Sequence, residues 1–292
     1  MREQANYYNR MFMAGLFLLP AFALIFLLLA VPLAELVQAS FRRAELGLIL
    51  QDGWTLENYR SVLFTPIYWE IYAKTLGAAA LITFFCAVLG YPVAYHLTRA
   101  PEKLRPLLFF LIAAPLLVNT VVRTYGWLLV LGRKGVVNSI LTHLGLIDTP
   151  LALSGNYIGM IIGSTQVFLP FMILSIVTSL QGIDDRLRES AEILGASPAQ
   201  RFFSVDLPLA APGLLAGCVL VFSLMLGAFV TPLMLGGTAI RYLSVSVYTD
   251  ALVVFNLPRA IALSMVLLVL IAGVYALQAR LTRAMANRGA TK

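Results

Sequence analysis

Long uncharged stretches separated by short charged segments are the feature that most limits the folds open to this chain. Residues 11–33 contain no charged side chain, and about 20 apolar residues in a helix span the hydrocarbon core of a bilayer. This run is longer than the apolar core of a signal peptide, so we expect a retained span. Only 12% of the residues are charged, about half the fraction of a soluble domain. The sequence predicts an all-α membrane protein.

Five further apolar runs raise the predicted number of transmembrane helices to six. The predicted spans are residues 11–33, 75–95, 106–131, 157–181, 211–235 and 260–279. Arg123 is the only charged residue within them. Lys and Arg residues are more numerous on the side that carries both termini, and basic residues concentrate on the cytoplasmic side of membrane proteins. We therefore predict cytoplasmic termini. With no internal repeat or linker, residues 1–292 are predicted to form one domain.

The charge and the metal-binding residue types argue against several other functions. The formal net charge of +7 is spread over loops and tails, whereas nucleic-acid-binding proteins gather basic residues on one face. Cys86 and Cys218 lie within apolar runs, and His96 and His143 have no neighbouring ligand residues. We expect no nucleic-acid partner, no metal site and no catalytic residues, so the chain is predicted not to be an enzyme.

Residues 182–195 predict a short helix that ends in a tight turn. Apolar residues recur three or four positions apart, which gives a helix one apolar side. They are Ile183, Leu187, Ala191 and Leu194. Asp184 and Asp185 suit the N-terminus, where carboxylates satisfy exposed N–H groups. Gly195 suits the left-handed backbone that closes a helix.

A second short helix is predicted directly after this turn. Ser197 suits its N-cap and Pro198 its first position. We expect Leu207 and Pro208 to end it ahead of the fifth span. Residues 182–208 then form a helix–turn–helix hairpin between two spans, called the hairpin below. A hairpin that lies at the membrane interface without a partner is the plainer interpretation of the same pattern.

The hairpin resembles the signature loop of the membrane subunits of binding-protein-dependent ABC importers. That signature places Glu-Ala-Ala before a Gly, followed by an aliphatic residue, any residue and Leu-Pro. The residues that match are Glu189, Ser190, Ala191, Gly195, Val205, Leu207 and Pro208. Ser190 replaces the usual Ala and Val205 the usual Ile, and both changes are small. The resemblance implies a type I ABC importer permease with six transmembrane helices.

The same resemblance implies the partners and the role of the hairpin. In the family this hairpin forms the coupling helices, which sit in a groove on a separate ATPase. The residues assigned to ATPase coupling are Glu189, Ser190, Ala191, Gly195, Pro198, Leu207 and Pro208. No phosphate-binding Gly-x-x-x-x-Gly-Lys-Ser/Thr loop occurs in the sequence, so we expect an ATPase dimer to bind ATP and Mg²⁺. The other expected partners are a second permease, with a heterodimer favoured over a homodimer, a solute-binding protein and the bacterial inner membrane.

Further stretches resemble the spermidine/putrescine-type permeases. They are residues 122–127, 135–139, 226–237 and 255–264. This resemblance implies import of a polyamine or a related small amine. Relatives that carry opines, phosphonates, thiamine or other small solutes share much of the pattern, so these solutes are the alternative.

Six residues are candidates for the solute path. They are Arg123, Trp127, Phe229, Tyr248, Asp250 and Glu70. A polyamine requires carboxylates for its ammonium groups and aromatic rings for its methylene groups and charges. Arg123 lies inside a span, where a cation faces the bundle interior or a watery path or extends toward the interface. The fifth span is interrupted by Gly227, Pro232, Gly236 and Gly237, either as a packing kink or as a gate beside a cavity.

Two other classes of membrane protein make different predictions. A secondary transporter typically has inverted repeats and paired ionisable residues at mid-membrane depth, and the sequence shows neither. A membrane enzyme requires a cluster of His, Asp, Glu, Ser or Cys residues at one depth, and none is evident. The hairpin therefore favours an ABC importer permease.

Overall fold

The computed structural model describes residues 2–44, 50–51, 53–237 and 240–289. Most of these residues are helical, as the apolar runs predict. The helices are α1 (Arg2–Ser40), α2 (Glu57–Phe64), α3 (Pro66–Arg99), α4 (Arg105–Leu117), α5 (Thr120–Leu131), α6 (Val136–His143), α7 (Tyr157–Gln181), α8 (Asp185–Ile193), α9 (Pro198–Arg201), α10 (Leu207–Gly227), α11 (Val230–Leu235), α12 (Leu243–Leu252) and α13 (Leu257–Gly289). A π-helical turn, Phe202–Asp206, joins α9 to α10.

A short antiparallel ladder follows α1. It pairs β1 (Arg43–Ala44) with β2 (Leu50–Gln51), with Arg43 opposite Gln51 and Ala44 opposite Leu50. The apolar pattern does not predict these strands, because two residues are too few to show the alternation that identifies a strand. The all-α prediction holds for the membrane-spanning part of the chain.

Five helices of the described chain are long and apolar enough to cross a bilayer. They are Ala23–Ser40, Pro66–Arg99, Tyr157–Gln181, Pro198–Gly227 and Leu257–Arg280. A sixth candidate is a pair of segments, Arg105–Leu117 and Thr120–His143, bent by 95° at the break between them. The fourth predicted span, residues 157–181, has the same bounds as α7.

Contacts between helix ends require the bent pair to cross the membrane. Tyr157, at the start of α7, donates a hydrogen bond of 2.5 Å to the carbonyl oxygen of Lys74, in the first part of α3. Arg99, at the end of α3, lies 3.3 Å from Asp206, which follows α7 in the chain. The spans α3 and α7 therefore run in the same direction. The segment between them has to cross the membrane once. The bent pair is therefore a broken span, which is the third in chain order and brings the number of spans to six.

The prediction of one continuous helix over residues 106–131 is wrong. Asn119 has an extended backbone (φ −54°, ψ 134°), and its side-chain oxygen accepts a hydrogen bond of 2.8 Å from the N–H of Val121. This cap starts α5 as a new helix. Pro115, in the last turn of α4, also weakens the continuation. Apolar content does not reveal the break, because one Asn in an apolar run barely changes the mean hydropathy.

The predicted interruption of the fifth span is confirmed. α10 ends at Gly227 and α11 begins at Val230, with an extended Ala228 (ψ 131°) between them. Pro232 lies inside α11, where the preceding break leaves few backbone hydrogen bonds for it to disrupt. The span itself begins earlier than the predicted residue 211, because α9, the π-helical turn and α10 form one continuous helix.

The chain divides into two compact units, and the assignment of residues 1–292 to one domain stays a prediction. The first unit comprises residues 1–64 and 247–265, and the second comprises residues 65–246 and 266–292.

In the first unit, the ring of Phe41 packs against Tyr59, with centroids 4.9 Å apart. The Asn58 amide donates hydrogen bonds of 2.8 Å to the carbonyl oxygens of Ser40 and Arg42. These contacts hold α2 at the end of α1.

In the second unit, α3, α7 and α10 pack against one another. Ile82, Met172 and Val221 are fully buried in the core that they share. Gly213 of α10 lies so near α7 that a Cβ atom there would come within 2.5 Å of the carbonyl oxygen of Ser175. Small residues let helix backbones approach in membrane proteins. This packing brings the ends of α3 and α10 together beside the hairpin.

Candidate functional site

The first helix of the hairpin, α8, is capped at both ends by its own residues. The Asp184 side chain accepts a hydrogen bond of 2.9 Å from a backbone N–H in the first turn. At the other end, Gly195 has φ +79°. Its N–H donates to the carbonyl oxygen of Glu192 (2.9 Å), and the N–H of Ala196 donates to that of Ala191 (3.0 Å). This pair of bonds is a Schellman motif, so the predicted turn is confirmed.

The second helix of the hairpin starts with a capping box. The N–H of Gln200 donates to the Ser197 hydroxyl (3.3 Å), and the N–H of Ser197 donates to the Gln200 side chain (2.8 Å). Pro198 occupies the first turn, where its missing N–H breaks no helical bond. The predicted positions of Ser197 at the N-cap and Pro198 in the first turn are therefore confirmed. The reciprocal role of Gln200 follows from the same spacing.

The prediction that Leu207 and Pro208 end the second helix is wrong. The helix continues from Pro198 to Gly227. The N–H of Leu207 donates to the carbonyl oxygen of Phe202, five residues earlier. Such a π-helical turn is wider than an α-helical one, and Pro208 follows it at the start of α10. The wider turn accommodates the proline, which would otherwise clash with a carbonyl of the preceding turn.

The predicted apolar side of α8 is divided between a packed end and an exposed end. Ile183 packs partly against the core of the second unit, and Ala191 is half-buried. Leu194 and its neighbour Ile193 are each 86% exposed. Glu189 is also exposed. The tip of the hairpin therefore presents apolar side chains and an acidic group to its surroundings, which suits a protein partner.

A buried ion-pair cluster lies where the hairpin meets the spans. The side chain of Asp206, at the end of the π-helical turn, is fully buried. Its Oδ1 atom lies 2.7 Å from Nε of Arg188 in α8 and 3.3 Å from Nη2 of Arg99 in α3. The Arg99 guanidinium also lies 3.3 Å from the ring centroid of Tyr95. An additional ion pair between Arg201 and Glu192 joins α9 to α8.

Sequence reasoning did not find this cluster. Arg99 and Arg188 count only as basic residues near span ends, and Asp206 occupies the unrestricted position of the signature. One signal was available, because Asp206 is a lone carboxylate between Val205 and Leu207 at the start of an apolar run. A buried carboxylate of this kind requires a cationic partner.

Two of the solute-path candidates bond to other parts of the second unit. Arg123 donates a hydrogen bond of 2.9 Å to the carbonyl oxygen of Pro115, across the bend between α4 and α5. The indole N–H of Trp127 donates to the side-chain oxygen of Gln166 in α7, at 3.1 Å. Gln166 lies within an apolar run and was not among the candidates. Both side chains contribute to the packing of the broken span.

The remaining candidates are distributed over both units. Glu70 pairs with Lys74 at 2.5 Å, and both side chains are partly exposed. Asp250 accepts two hydrogen bonds from Arg259, at 2.6 and 2.8 Å. Tyr248 is 36% exposed, and Phe229 is half-buried at the break in the fifth span. Within the described residues, no group of three or more His, Cys, Asp or Glu side chains could hold a metal ion.

Residues 79–287 match a protein family described as binding-protein-dependent transport system inner membrane component. The chain belongs to this family. One relative of this ABC permease is the spermidine/putrescine transport system permease protein PotB of Haemophilus influenzae. The two are 38% identical over 218 residues, which cover 75% of this chain and 76% of the relative. The inner membrane ABC transporter permease protein YdcU of Escherichia coli is 34% identical over 232 residues, covering 75% and 73% of the two chains.

Solved ABC importers share the fold of this inner-membrane permease. A bacterial ABC transporter involved in import of the acidic polysaccharide alginate aligns with a TM-score of 0.75 at 18% identity, covering 96% of this chain and 99% of that one. The MetNI methionine ABC transporter aligns with a TM-score of 0.58 at 20% identity, covering 76% and 99%. These alignments confirm the predicted fold of a type I ABC importer permease.

Proposed function

We propose that this ABC permease forms the membrane path of an ATP-driven importer for a polyamine such as spermidine or putrescine. The observation that carries the proposal is the 38% identity to the spermidine/putrescine permease over three quarters of both chains. Permeases of the same description from Salmonella typhimurium and Escherichia coli are 38% and 37% identical. A transport subunit of this kind carries no catalytic residues of its own.

In this proposal the hairpin docks on a separate ATPase dimer, which binds ATP and Mg²⁺. The exposed tip, with Leu194, Ile193 and Glu189, supplies the contact surface. The Schellman motif and the capping box stiffen the two helices. A stiff hairpin passes a displacement of the ATPase to the spans. The remaining signature residues shape the hairpin, and they are Ser190, Ala191, Gly195, Pro198, Leu207 and Pro208.

Two further partners complete the proposed importer. A second permease, a different chain in preference to a second copy, forms the other half of the path. A solute-binding protein delivers the polyamine on the side opposite the hairpin. The alginate importer has been solved in complex with an alginate-bound periplasmic protein, which supports this partner. All six solute-path candidates stay proposals, and they are Arg123, Trp127, Phe229, Tyr248, Asp250 and Glu70.

A small anionic or zwitterionic solute, such as an opine or a phosphonate, is the second candidate. Arg43 and Arg259 line a cavity of about 260 Å³ in the first unit. Guanidinium groups suit carboxylate and phosphonate oxygens. The Asp250 carboxylate is already bound to Arg259, so it is a weak candidate for an ammonium ligand. Glu57 also lines the cavity, so the anionic candidate rests on two guanidinium groups beside one carboxylate.

The test is ATP-dependent uptake by the reconstituted complex. The permease is purified with the ATPase, second permease and binding protein that accompany it, and is placed in liposomes. Radiolabelled putrescine and spermidine are compared with a labelled opine and a labelled phosphonate. A non-hydrolysable ATP analogue serves as the control for passive entry. We expect polyamine uptake with ATP and none with the analogue.

Other outcomes separate the parts of the proposal. Uptake of an anionic solute in place of polyamines overturns the solute assignment and leaves the importer assignment intact. Uptake that requires an ion gradient and does not depend on ATP indicates a secondary transporter. This result contradicts both the solute assignment and the importer assignment. Purification without an associated ATPase contradicts the docking role of the hairpin.

A further inference from the structure

Asp206 is a fully buried carboxylate at the junction of the hairpin and the fifth span. Burial of a carboxylate is unfavourable unless cations or hydrogen bonds compensate for the lost water. Arg188 and Arg99 supply this compensation on the same oxygen atom, at 2.7 and 3.3 Å. The carboxylate therefore favours the arrangement in which both arginines are close to it.

The two arginines belong to different elements. Arg188 lies in the middle of α8, whereas Arg99 is the last residue of α3. The position of Arg99 is further constrained, because its guanidinium lies over the ring of Tyr95, 3.3 Å from the centroid. Arg105 binds the carbonyl oxygens of Thr98 and Ala100 at 2.9 Å, which orders the backbone around Arg99. Asp206 thus connects α8 to a rigid end of α3.

The π-helical turn, Phe202–Asp206, decides where the Asp206 side chain lies. A π-helical turn contains one residue more than an α-helical turn. In a regular α-helix, one residue corresponds to a rotation of about 100° around the axis. With a regular turn, α9 and α8 would be rotated by about that angle relative to α10. The contact between Arg188 and Asp206 therefore depends on the wide turn.

Few other contacts hold α8 to the spans. Among the described side chains of α8, which exclude Asp185, only Arg188 and Ala191 are not exposed. Ala191 offers a single methyl group. The side chain of Arg188 is 12% exposed, and it reaches Asp206 at the base of α10. Glu192 of α8 also pairs with Arg201 of α9, but its side chain is 56% exposed. The pair of Arg188 and Asp206 is therefore the buried polar attachment of the helix that presents the tip of the hairpin.

We propose that Arg188, Asp206 and Arg99 form a serial link, which is a chain of contacts from α8 through Asp206 at the start of α10 to the end of α3. The three act as positioning residues for the coupling of ATP hydrolysis to transport. The link holds α8 to the adjacent ends of α3 and α10, so a displacement of the hairpin moves both spans together. This inference rests on the proposed docking of the hairpin on an ATPase. The link does not contact the ATPase or the solute, and its loss leaves the exposed tip unchanged.

The first test separates coupling from docking. Each link variant removes one charge, and the variants are Arg188→Gln, Arg99→Gln and Asp206→Asn. The matched control is Glu102→Gln, which removes an exposed charge near the end of α3. We expect solute-stimulated ATP hydrolysis to fall about tenfold in the link variants, a usual size for coupling between sites. Co-purification of the ATPase and its basal hydrolysis stay at the wild-type level, and Glu102→Gln behaves as the wild type.

A serial link also predicts non-additive effects. Arg99→Gln and Arg188→Gln each break the chain of contacts, so the double variant is expected to couple no worse than either single variant.

A distance measurement tests the position of α8 directly. Nitroxide labels at positions 103 and 193 report the distance between the α3 end and the hairpin tip. We expect a broader distance distribution in Arg188→Gln than in the wild type, at unchanged melting temperature.

Three outcomes overturn the link. They are wild-type coupling in Arg188→Gln, a double variant whose loss is the product of the single losses, and a label-distance distribution as narrow as that of the wild type. If Asp206→Asn fails to insert, Arg188→Gln carries the test, because that side chain is partly exposed. If the wild-type complex shows no solute-stimulated hydrolysis, the proposed function fails, and the label distance still decides whether the link positions α8.

Discussion

Gly195 shows how much of the hairpin depends on one residue. Its φ of +79° lies in the left-handed region, which residues with a Cβ atom occupy only at a cost in free energy. Beyond the glycine and its chain neighbours, no atom of the described residues lies within 4 Å of the position where a Cβ would stand. The requirement for glycine is therefore conformational and does not arise from crowding. Two hydrogen bonds of the Schellman motif depend on this backbone.

Substitutions at this position are expected to separate strain from loss of a hydrogen bond. Gly195→Ala is expected to destabilise the turn by about 1–2 kcal/mol. Gly195→Pro is expected to be more severe, because it also removes the N–H that bonds to Glu192. Co-purification of the ATPase and solute-stimulated hydrolysis should fall in the order alanine, then proline, at constant membrane yield. Gly182→Ala, at a position with φ −82°, is the control. Wild-type coupling in Gly195→Pro would remove the hairpin from the mechanism.

The broken third span is the element whose shape depends most on side-chain bonds to the backbone. Asn119 caps the start of α5. Arg123 donates to the carbonyl oxygen of Pro115 in the last turn of α4, which also accepts a hydrogen bond of 3.3 Å from the N–H of Val118. The Asn119 bond lies at the start of α5, and the Arg123 bond crosses the 95° bend. Arg123, a cation inside a span, therefore stabilises the bend between α4 and α5.

Loss of the Arg123 bond is expected to destabilise the protein without altering solute recognition. Arg123→Met keeps an apolar stem of similar length and removes the donor, and a hydrogen bond from a charged group contributes about 1.5–3 kcal/mol. The melting temperature of the purified permease should fall, while the apparent solute affinity stays constant. Lys134→Met, which removes an exposed cation, is the control. Unchanged stability with weaker solute affinity would instead assign Arg123 to the solute path.

At the scale of the whole molecule, the number of crossings follows from which helix ends meet. Tyr157 meets Lys74 at one end of the second unit, and Arg99 meets Asp206 at the other. These two contacts make α3 and α7 parallel. The bent pair between them then crosses the membrane, although its first half, Arg105–Leu117, is too short to do so alone. A re-entrant loop would place the hairpin on the wrong side for its contact with Arg99.

Cysteine labelling tests this crossing directly. In a background with Cys86→Ala and Cys218→Ala, single cysteines replace Lys103, which precedes α4, and Lys134, which follows α5. Both lysines are exposed. An impermeant thiol reagent should label position 134 from outside the cell and position 103 only after the membrane is opened, given cytoplasmic termini. The cysteine-free background controls for other sites. Labelling of both positions from the same face would make the bent pair re-entrant.

The sequence alone determined the features that depend on neighbouring residues. The bounds of α7 match an uncharged run, because helix length in a bilayer is set by hydrocarbon thickness. Asp184, Gly195 and Ser197 were assigned correctly, because caps and turns are built from residues within a few positions of one another. The signature residues of the hairpin also indicated the family. Each of these inferences uses local spacing or local composition.

Only the tertiary structure decided the features that join distant parts of the chain. Arg99 and Asp206 are 107 residues apart, and no local pattern indicates their ion pair. The bend at Asn119 and the π-helical turn before Pro208 also depend on small differences between alternative backbone hydrogen bonds. Asp250 resembled a solute ligand in the sequence, but its carboxylate faces Arg259. The partner of a charged group is set by packing between elements, and an apolar run carries no information about which elements will meet.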